Sequence, residues 1–456
     1  MRIIIGGCGE IGDFLCMTFS RRGDSVVVIE KDPRVIDALQ NKYNVAIVNG
    51  DMRDIDAMRS AGAGECDFFL SVGNDASANM ISASVAKALG AKNTVASTNS
   101  AMFMSNFSSC GGYYQRHFAI DMIVDPSRIC AAEFAKVIRT PRNVTVENIA
   151  FNQIEIQRCA VTPKSKCLGR ALRDIDALAN VRIVFITRDG VDAVPTPETI
   201  VSDGDVVTVV GKHDDIASLL EKLSMHGATS AIGVAIFGTS GIARALIRYL
   251  NSSKYRVVAI EESLDVCERL AAEFPNITVI NGDAAAPDLL NEEHVPNGSH
   301  FVACSDDDEK NTMVAMQAKH LGVKCVMLAL NDGKYESVLS NISGLLGIEK
   351  IVSKRVATAR ELINYVSPKS HHVLSDVSDC HCSFVEFRIE KSCGLVGKEI
   401  RELGLPRGCV LVSLMRNFDA RVPSASDVIL ENDRIVAAMG NGVMDCVIQM
   451  FTEGAT

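Results

Sequence analysis

Residues 2–12 read RIIIGGCGEIG: a β-branched run, then Gly7-Cys8-Gly9-Glu10-Ile11-Gly12 in the spacing GxGxxG. A strand buried on both faces reads as a continuous apolar run, and a strand that turns directly into a helix needs glycine wherever a Cβ has no room. Gly7 permits the tight turn, Gly9 lets backbone approach a pyrophosphate, and Gly12 lets helix and strand pack closely. The helix N-terminus that follows offers unpaired N–H groups to an anion. Glu30 ends the next apolar run, VVVIE, 23 residues after Gly7. There it can accept hydrogen bonds from ribose hydroxyls, and its charge repels a 2′-phosphate. The combination predicts a site for NAD(H), with ATP or ADP as the alternative, and disfavours NADP.

The same pattern returns downstream. VVVIEKD, AIVNGDM and FFLSVGNDASANMISASVAKALGA follow the first fingerprint; VAIFGTSGIA is followed by VVAIEES, TVINGDA and HFVACSDDDEKNTMVAMQAKHLGV. Asp51 and Asp283, Asp75 and Asp307, and Asn79 and Asn311 each stand 232 residues apart. A smaller unit also recurs, with Gly169 and Gly397, Arg188 and Arg416, Pro195 and Pro423, and Asp205 and Asp433 each offset by 228. Repetition of this kind fixes the architecture before any motif does: large, small, large, small.

In the large unit, short β-branched runs at 2–5, 25–29, 45–48, 68–72, 94–96 and 122–124 alternate with helical patterns. Such alternation calls for a parallel sheet with crossover helices. Asp32 before Pro33 marks one helix start and Asp75 another, each an N-cap acceptor. The small unit alternates with period two in QIEIQ, VRIVFI, CSFVEFRI and CVLVSLM, the pattern of half-buried antiparallel strands. The predicted fold is therefore α/β, with two Rossmann-like doubly wound domains at 1–140 and 228–368. Each is followed by a small α+β domain, at 141–227 and 369–456.

Composition removes several classes. The 456 residues carry 46 basic and 56 acidic side chains, a net charge of −10, which argues against a protein built to neutralise nucleic-acid phosphates. The apolar, uncharged stretch at residues 228–243 is diluted by Gly, Ser and Thr and falls short of a bilayer span. The N-terminus lacks the apolar region of a signal peptide. Fifteen cysteines with no CxxC pair read as reduced thiols in a cytoplasmic setting.

The second fingerprint, Gly238-Thr239-Ser240-Gly241-Ile242-Ala243, keeps the turn glycine but places Ser240 where backbone faces the pyrophosphate. A Cβ there crowds a ligand. Glu261 and Asp283 remain, so weaker binding, a mononucleotide or an empty pocket is expected.

Two Rossmann units with V[VA]xIE, NGD and D-x-x-x-N, each followed by an LGxxL…R…P…D module, resemble the TrkA family. Its members are peripheral regulatory subunits of Trk-type potassium-uptake systems, built of paired RCK (KTN) domains with N-type and C-type halves. The resemblance implies NAD(H), ATP or ADP in the N-type halves and a TrkH-type membrane potassium transporter as partner. It also implies a homo-oligomer, a tetramer, docked at the inner face of the cell membrane. Position by position, it assigns phosphate and ribose contacts to Gly7, Cys8, Gly9, Glu10, Ile11, Gly12 and Glu30. Asp51 falls near the adenine, and Asp75 and Asn79 along the fourth-strand edge. Gly238, Ser240, Glu261 and Asp283 are the second-copy counterparts. One departure stands out: Ser97 and Ala329 occupy the fifth-strand end where the family commonly has an arginine that reaches a phosphate. That tilts the expectation toward NAD(H) over ATP.

Other groups carry plainer readings. His371-His372 with Cys380-His381-Cys382 fits one face of a strand better than a metal centre, and no metal is expected. Asp306-Asp307-Asp308-Glu309 caps and solvates a helix. Cys8 reads as a small filler beside the ligand; the alternative is a redox-sensitive thiol whose pKa the helix N-terminus lowers. Nine histidines are scattered without a catalytic signature, so binding without turnover is preferred to the alternative of an NAD-dependent oxidoreductase. Arg188 and Arg416, at strand ends, are expected to make ion pairs or fold contacts. Reversing a gate's preference takes about 5.5 kcal/mol, or about 1.4 kcal/mol at each of four linked sites. Coupling is expected to run through the last helix of each large domain, 127–138 and 355–366.

Overall fold

The computed structural model describes residues 1–99, 113–139, 145–149, 154–163, 165–175, 181–188, 190–212, 215–216, 219, 223, 231–252, 254–292, 295, 300–366, 371–376, 382–416 and 419–452. The chain forms two compact units. One combines residues 1–137 and 230–366, the other 138–229 and 367–456.

The first lobe of the first unit runs β1 (Arg2–Gly6), α1 (Glu10–Arg22), β2 (Ser25–Glu30), α2 (Pro33–Lys42), β3 (Ala46–Asn49), α3 (Ile55–Ala61), β4 (Phe68–Ser71), α4 (Ala76–Leu89), β5 (Asn93–Ser97), α5 (Tyr113–Phe118), β6 (Met122–Val124) and α6 (Pro126–Arg139). All six strands are parallel, in the order β3-β2-β1-β4-β5-β6. This is the doubly wound Rossmann order, whose crevice opens where the winding reverses, outside β1 and β4. Asp32 accepts from the Arg34 N–H at 2.9 Å with Pro33 at the first helical position, and Asp75 accepts from Ser77 and Ala78 at 2.8 and 3.1 Å. Ile4, Ile29, Phe69 and Met58 are fully buried between sheet and helices.

The first small module follows with β7 (Thr145–Ile149), β8 (Ile154–Ala160), β9 (Val181–Arg188), β10 (Val191–Ala193) and β11 (Val206–Gly211), antiparallel in the order β10-β9-β11-β8-β7.

The second lobe repeats the first. It contains β12 (Ile232–Phe237), α7 (Gly241–Tyr249), β13 (Tyr255–Glu261), α8 (Leu264–Glu273), β14 (Thr278–Asn281), α9 (Pro287–Glu292), β15 (His300–Ala303), α10 (Asp308–His320), β16 (Cys325–Leu330), α11 (Glu336–Leu346), β17 (Lys350–Ser353) and α12 (Lys354–Tyr365). Its parallel sheet has the order β14-β13-β12-β15-β16-β17. The two lobes pack α1 against α12. Phe68 meets Tyr365 edge to face at 5.8 Å, and Lys350 pairs with Glu133 at 3.2 Å.

The second small module has β18 (His371–Asp376), β19 (Cys382–Arg388), β20 (Cys409–Arg416), β21 (Asp419–Arg421), β22 (Arg434–Gly440) and α13 (Met444–Thr452), with sheet order β18-β19-β22-β20-β21. The small modules share one apolar cluster that includes Ile154, Phe185, Val210, Phe384, Val412 and Val436, and Arg182 donates to the carbonyls of Leu411 and Pro423. In each module the repeated arginine closes a two-pronged ion pair. Arg188 holds Asp205 at 2.7 and 2.9 Å, and Arg416 holds Asp433 at 2.8 and 2.7 Å. Both aspartates are buried, so these pairs are the fold contacts expected of repeated strand-end arginines. Among the described residues, no helix is long and apolar enough to cross a membrane.

Candidate functional site

The first fingerprint forms the turn that its glycines allow. Gly7 has φ +80°, and a Cβ on it would lie 2.7 Å from the Gly73 Cα. A Cβ on Gly12 would lie 2.7 Å from the Gly7 carbonyl oxygen, and one on Gly9 3.1 Å from Asn74 Oδ1. Gly9 is the N-cap of α1 and brings no side-chain cap, so first-turn amides point outward as anion donors. Glu30 closes the loop from below. Its carboxylate accepts from the Cys8 N–H at 2.7 Å and from Lys31 and Asp32 at 2.8 and 3.0 Å.

A crevice of about 180 Å³ opens at the carboxyl ends of β1, β4, β5 and β6. Glu10, Ile11, Asn74, Asn79, Ser97 and Asn99 line it from the first lobe, and Asn331, Lys354 and Arg355 from the second. Sequence reading missed Asn74, Asn99 and all three second-lobe residues. The basic pair did leave a signal. Lys354 and Arg355 begin α12, the positive end of a helix dipole, where cations are disfavoured by about 0.3–1 kcal/mol.

The remaining expected residues are engaged as follows. Asn79 lines the crevice, but its polar atoms are committed. Nδ2 donates to the carbonyls of Gly73 and Ser97 at 2.7 and 2.8 Å, and Oδ1 accepts from the Gly73 N–H at 2.9 Å. It clamps the ends of β4 and β5 together, as Asn311 does between Ser305 and Ala329 in the second lobe. Asp75 caps α4. Asp51, beyond β3, is gripped by Arg53 at 2.9 and 2.7 Å, and that guanidinium holds its carboxyl well below the usual carboxylate range.

Cys8 takes the plainer of its two readings. Its Sγ lies 3.8 Å from Cys16 Sγ, and that contact together with burial pushes the thiol pKa up rather than down. The helix N-terminus does not win, so Cys8 is a packed thiol. In the histidine-cysteine group, His371 and His372 sit on β18 and Cys382 on β19, while Cys380 and His381 lie outside the described residues.

The second fingerprint is built differently. Gly238 keeps the turn at φ +91°. Ser240 is folded inward, donating to the Cys304 carbonyl and accepting from the Ala243 N–H, so it caps its own helix and uses an amide donor that Gly9 leaves open. Thr239 Oγ1 donates to Glu261 at 2.7 Å. Asp283 accepts from the Ala285 N–H at 2.9 Å, and this contact, with Lys310 nearby, lowers its pKa. Within the acidic run, Asp307 caps α10 as expected. Asp308 instead turns inward and accepts from the Asn331 and Asp332 amides at 2.8–3.0 Å. Its first-lobe counterpart is Ala76, which lines the crevice.

Tandem Rossmann lobes alternating with five-stranded antiparallel modules define a duplicated two-part architecture. The GsuK RCK domain crystal structure has this fold: TM-score 0.57, 18% identity, 98% of this chain and 94% of that one. The GsuK channel bound to NAD matches with TM-score 0.57 and 17% identity over 98% and 78%. The chain belongs to the TrkA family: the TrkA-N domain model matches residues 3–126 and 234–354, and the TrkA-C domain model 156–224 and 384–445. The Trk system potassium uptake protein TrkA homolog of Archaeoglobus fulgidus is 26% identical over 96% of both chains. The TrkA protein of Vibrio alginolyticus is 25% identical over 97% of this chain and 96% of its own.

Proposed function

We propose that this chain is a nucleotide-binding regulatory subunit of a potassium-uptake system. It reads NAD(H), or ATP or ADP, in its first Rossmann cleft and controls an integral membrane potassium transporter of the TrkH type from the cytoplasmic side, as a homo-oligomer, a tetramer. The observation that carries the reading is the uncapped N-terminus of α1 beside Glu30, at the point where the sheet reverses its winding. The names of the relatives, potassium uptake proteins along nearly their whole length, and a channel of like fold that bound NAD support it.

Calorimetric titration of the full chain with NADH, NAD⁺, ATP and ADP tests the reading. Potassium flux is then followed in vesicles holding the transporter with and without the chain. One of these ligands should bind and change flux; absence of binding by all four overturns the proposal.

A further inference from the structure

We infer that Lys354 and Arg355, at the start of α12 in the second lobe, are phosphate ligands of the first lobe's cleft. The inference rests on the reading that this cleft takes a nucleotide, and it names the part that its own lobe leaves out. Lys354 and Arg355 are the two cations lining the crevice, and the first lobe contributes none to that lining. A nucleotide carrying two or more phosphates needs charge-assisted donors, and amides alone supply no formal charge.

Arg355 is held in place but not used up. Its Nη2 donates to Glu336 at 2.6 Å and its guanidinium lies over the Phe14 ring at 5.3 Å. Its Nε is buried with no hydrogen-bond partner, 3.9 Å from Glu10 Oε2. The half-buried Lys354 makes no ion pair or side-chain hydrogen bond among the described residues. The half-buried Asp125, just before α6, feels its charge from beyond ion-pair distance. Glu336 and Glu10 already face Arg355, which keeps only its Nε to offer; Lys354, at the positive end of the helix with no carboxylate beside it among the described residues, is costly unless an anion joins it. From the first fingerprint, Glu10 and Ile11 at the start of α1 line the same crevice, while Gly7, Cys8, Gly9, Gly12 and Glu30 lie outside its lining.

The second cleft shows the contrast. The residues 228 positions before Lys354 and Arg355 are Pro126 and Ser127. Ser127 stands against the second fingerprint, with its Oγ 2.7 Å from where a Cβ on Gly241 would be. At these matched positions the second lobe carries two cations and the first lobe a proline and a serine. The ligand class is a nucleotide with a phosphate chain, a dinucleotide pyrophosphate or a nucleoside di- or triphosphate. Because the charges come from the other lobe, occupancy ties the two lobes together.

The test is calorimetry on the full chain with AMP, ADP, ATP and NADH, for the wild type, Lys354→Gln, Arg355→Gln and the double variant. Each single change is expected to weaken ADP, ATP and NADH about tenfold, the size of a lost charge-assisted hydrogen bond. AMP should change by less than about threefold, and Arg355→Lys should recover part of the loss. Because Lys354 holds no ion pair, Lys354→Gln serves as the arm that leaves folding intact, checked by thermal melting. Unchanged ADP and NADH affinity in the double variant, or an equal loss for AMP, overturns the inference and leaves the proposed function standing. Failure of the wild type to bind any of the four overturns the proposed function itself.

Discussion

The two Rossmann lobes share strand order, fingerprint position and the clamp made by Asn79 or Asn311, yet their clefts are chemically opposite. The first has an uncapped helix, alanine at position 76 and a basic pair from the neighbouring lobe; the second has Ser240 capping its own helix, Asp308 bound to the Asn331 and Asp332 amides, and Ser127 against Gly241. Differences at four matched positions, Gly9 against Ser240, Ala76 against Asp308, and Pro126-Ser127 against Lys354-Arg355, separate the two clefts. Duplication preserved the scaffold because the scaffold depends on buried backbone geometry. The cleft chemistry was free to diverge because it depends on a few side chains that add little to the core.

Gly12→Val should produce the largest effect. Its Cβ would meet the Gly7 carbonyl oxygen at 2.7 Å, so the phosphate loop must move. Nucleotide affinity measured by calorimetry should fall by more than about 100-fold. Retained affinity would mean that the ligand sits elsewhere. Next comes the carboxylate pair. Glu30→Gln should weaken NADH about tenfold, while Glu261→Gln should leave the measured affinity unchanged; equal losses would make the lobes equivalent. A smaller effect is expected from making the second cleft resemble the first. Ser240→Gly combined with Asp308→Ala removes one competing acceptor and one facing charge. The second site should then gain about threefold in affinity, still short of the first for want of cations, and a titration resolving two sites would detect it.

The smallest effect separates the small modules. Arg421 clasps Asp427 at 2.6 and 2.7 Å, where the first module has Ala193 and Thr199. The guanidinium lowers the Asp427 pKa to about 2. The folded carboxyl is the stronger acid, so its stabilisation is fully present above about pH 4 and is lost as the pH falls through about 2. With Arg421 partly exposed, the pair contributes less than about 1 kcal/mol. Asp427→Asn should therefore lower the melting temperature slightly at neutral pH and leave it unchanged near pH 2.

Much of this was legible from spacing. The offsets of 232 and 228 gave the four-part order, and the continuous apolar runs gave six parallel strands in each large lobe. Asp32, Asp75 and Asp307 were readable as caps because capping is a local hydrogen bond. The crevice was legible only on one side. Lys354 and Arg355 lie more than 300 residues beyond Glu10, and they reach it through the packing of α12 on α1, which no local pattern encodes. Asn79 and Asp51 have residue types suited to a ligand, but buried carbonyls and an adjacent guanidinium engage them first. The redox alternative for Cys8 failed for a related reason: a neighbouring sulfur and burial outweigh a helix dipole.

The apolar cluster shared by the two small sheets has a consequence for the chain's divisibility. A fragment ending near residue 229 would leave Ile154, Phe185 and Val210 facing water, and its self-complementary remedy is a second copy of itself, in the place where Phe384, Val412 and Val436 now stand. The intact polypeptide carries both sheets of this cluster in a single chain. Covalent linkage is what allows its two halves to carry different residues at equivalent positions.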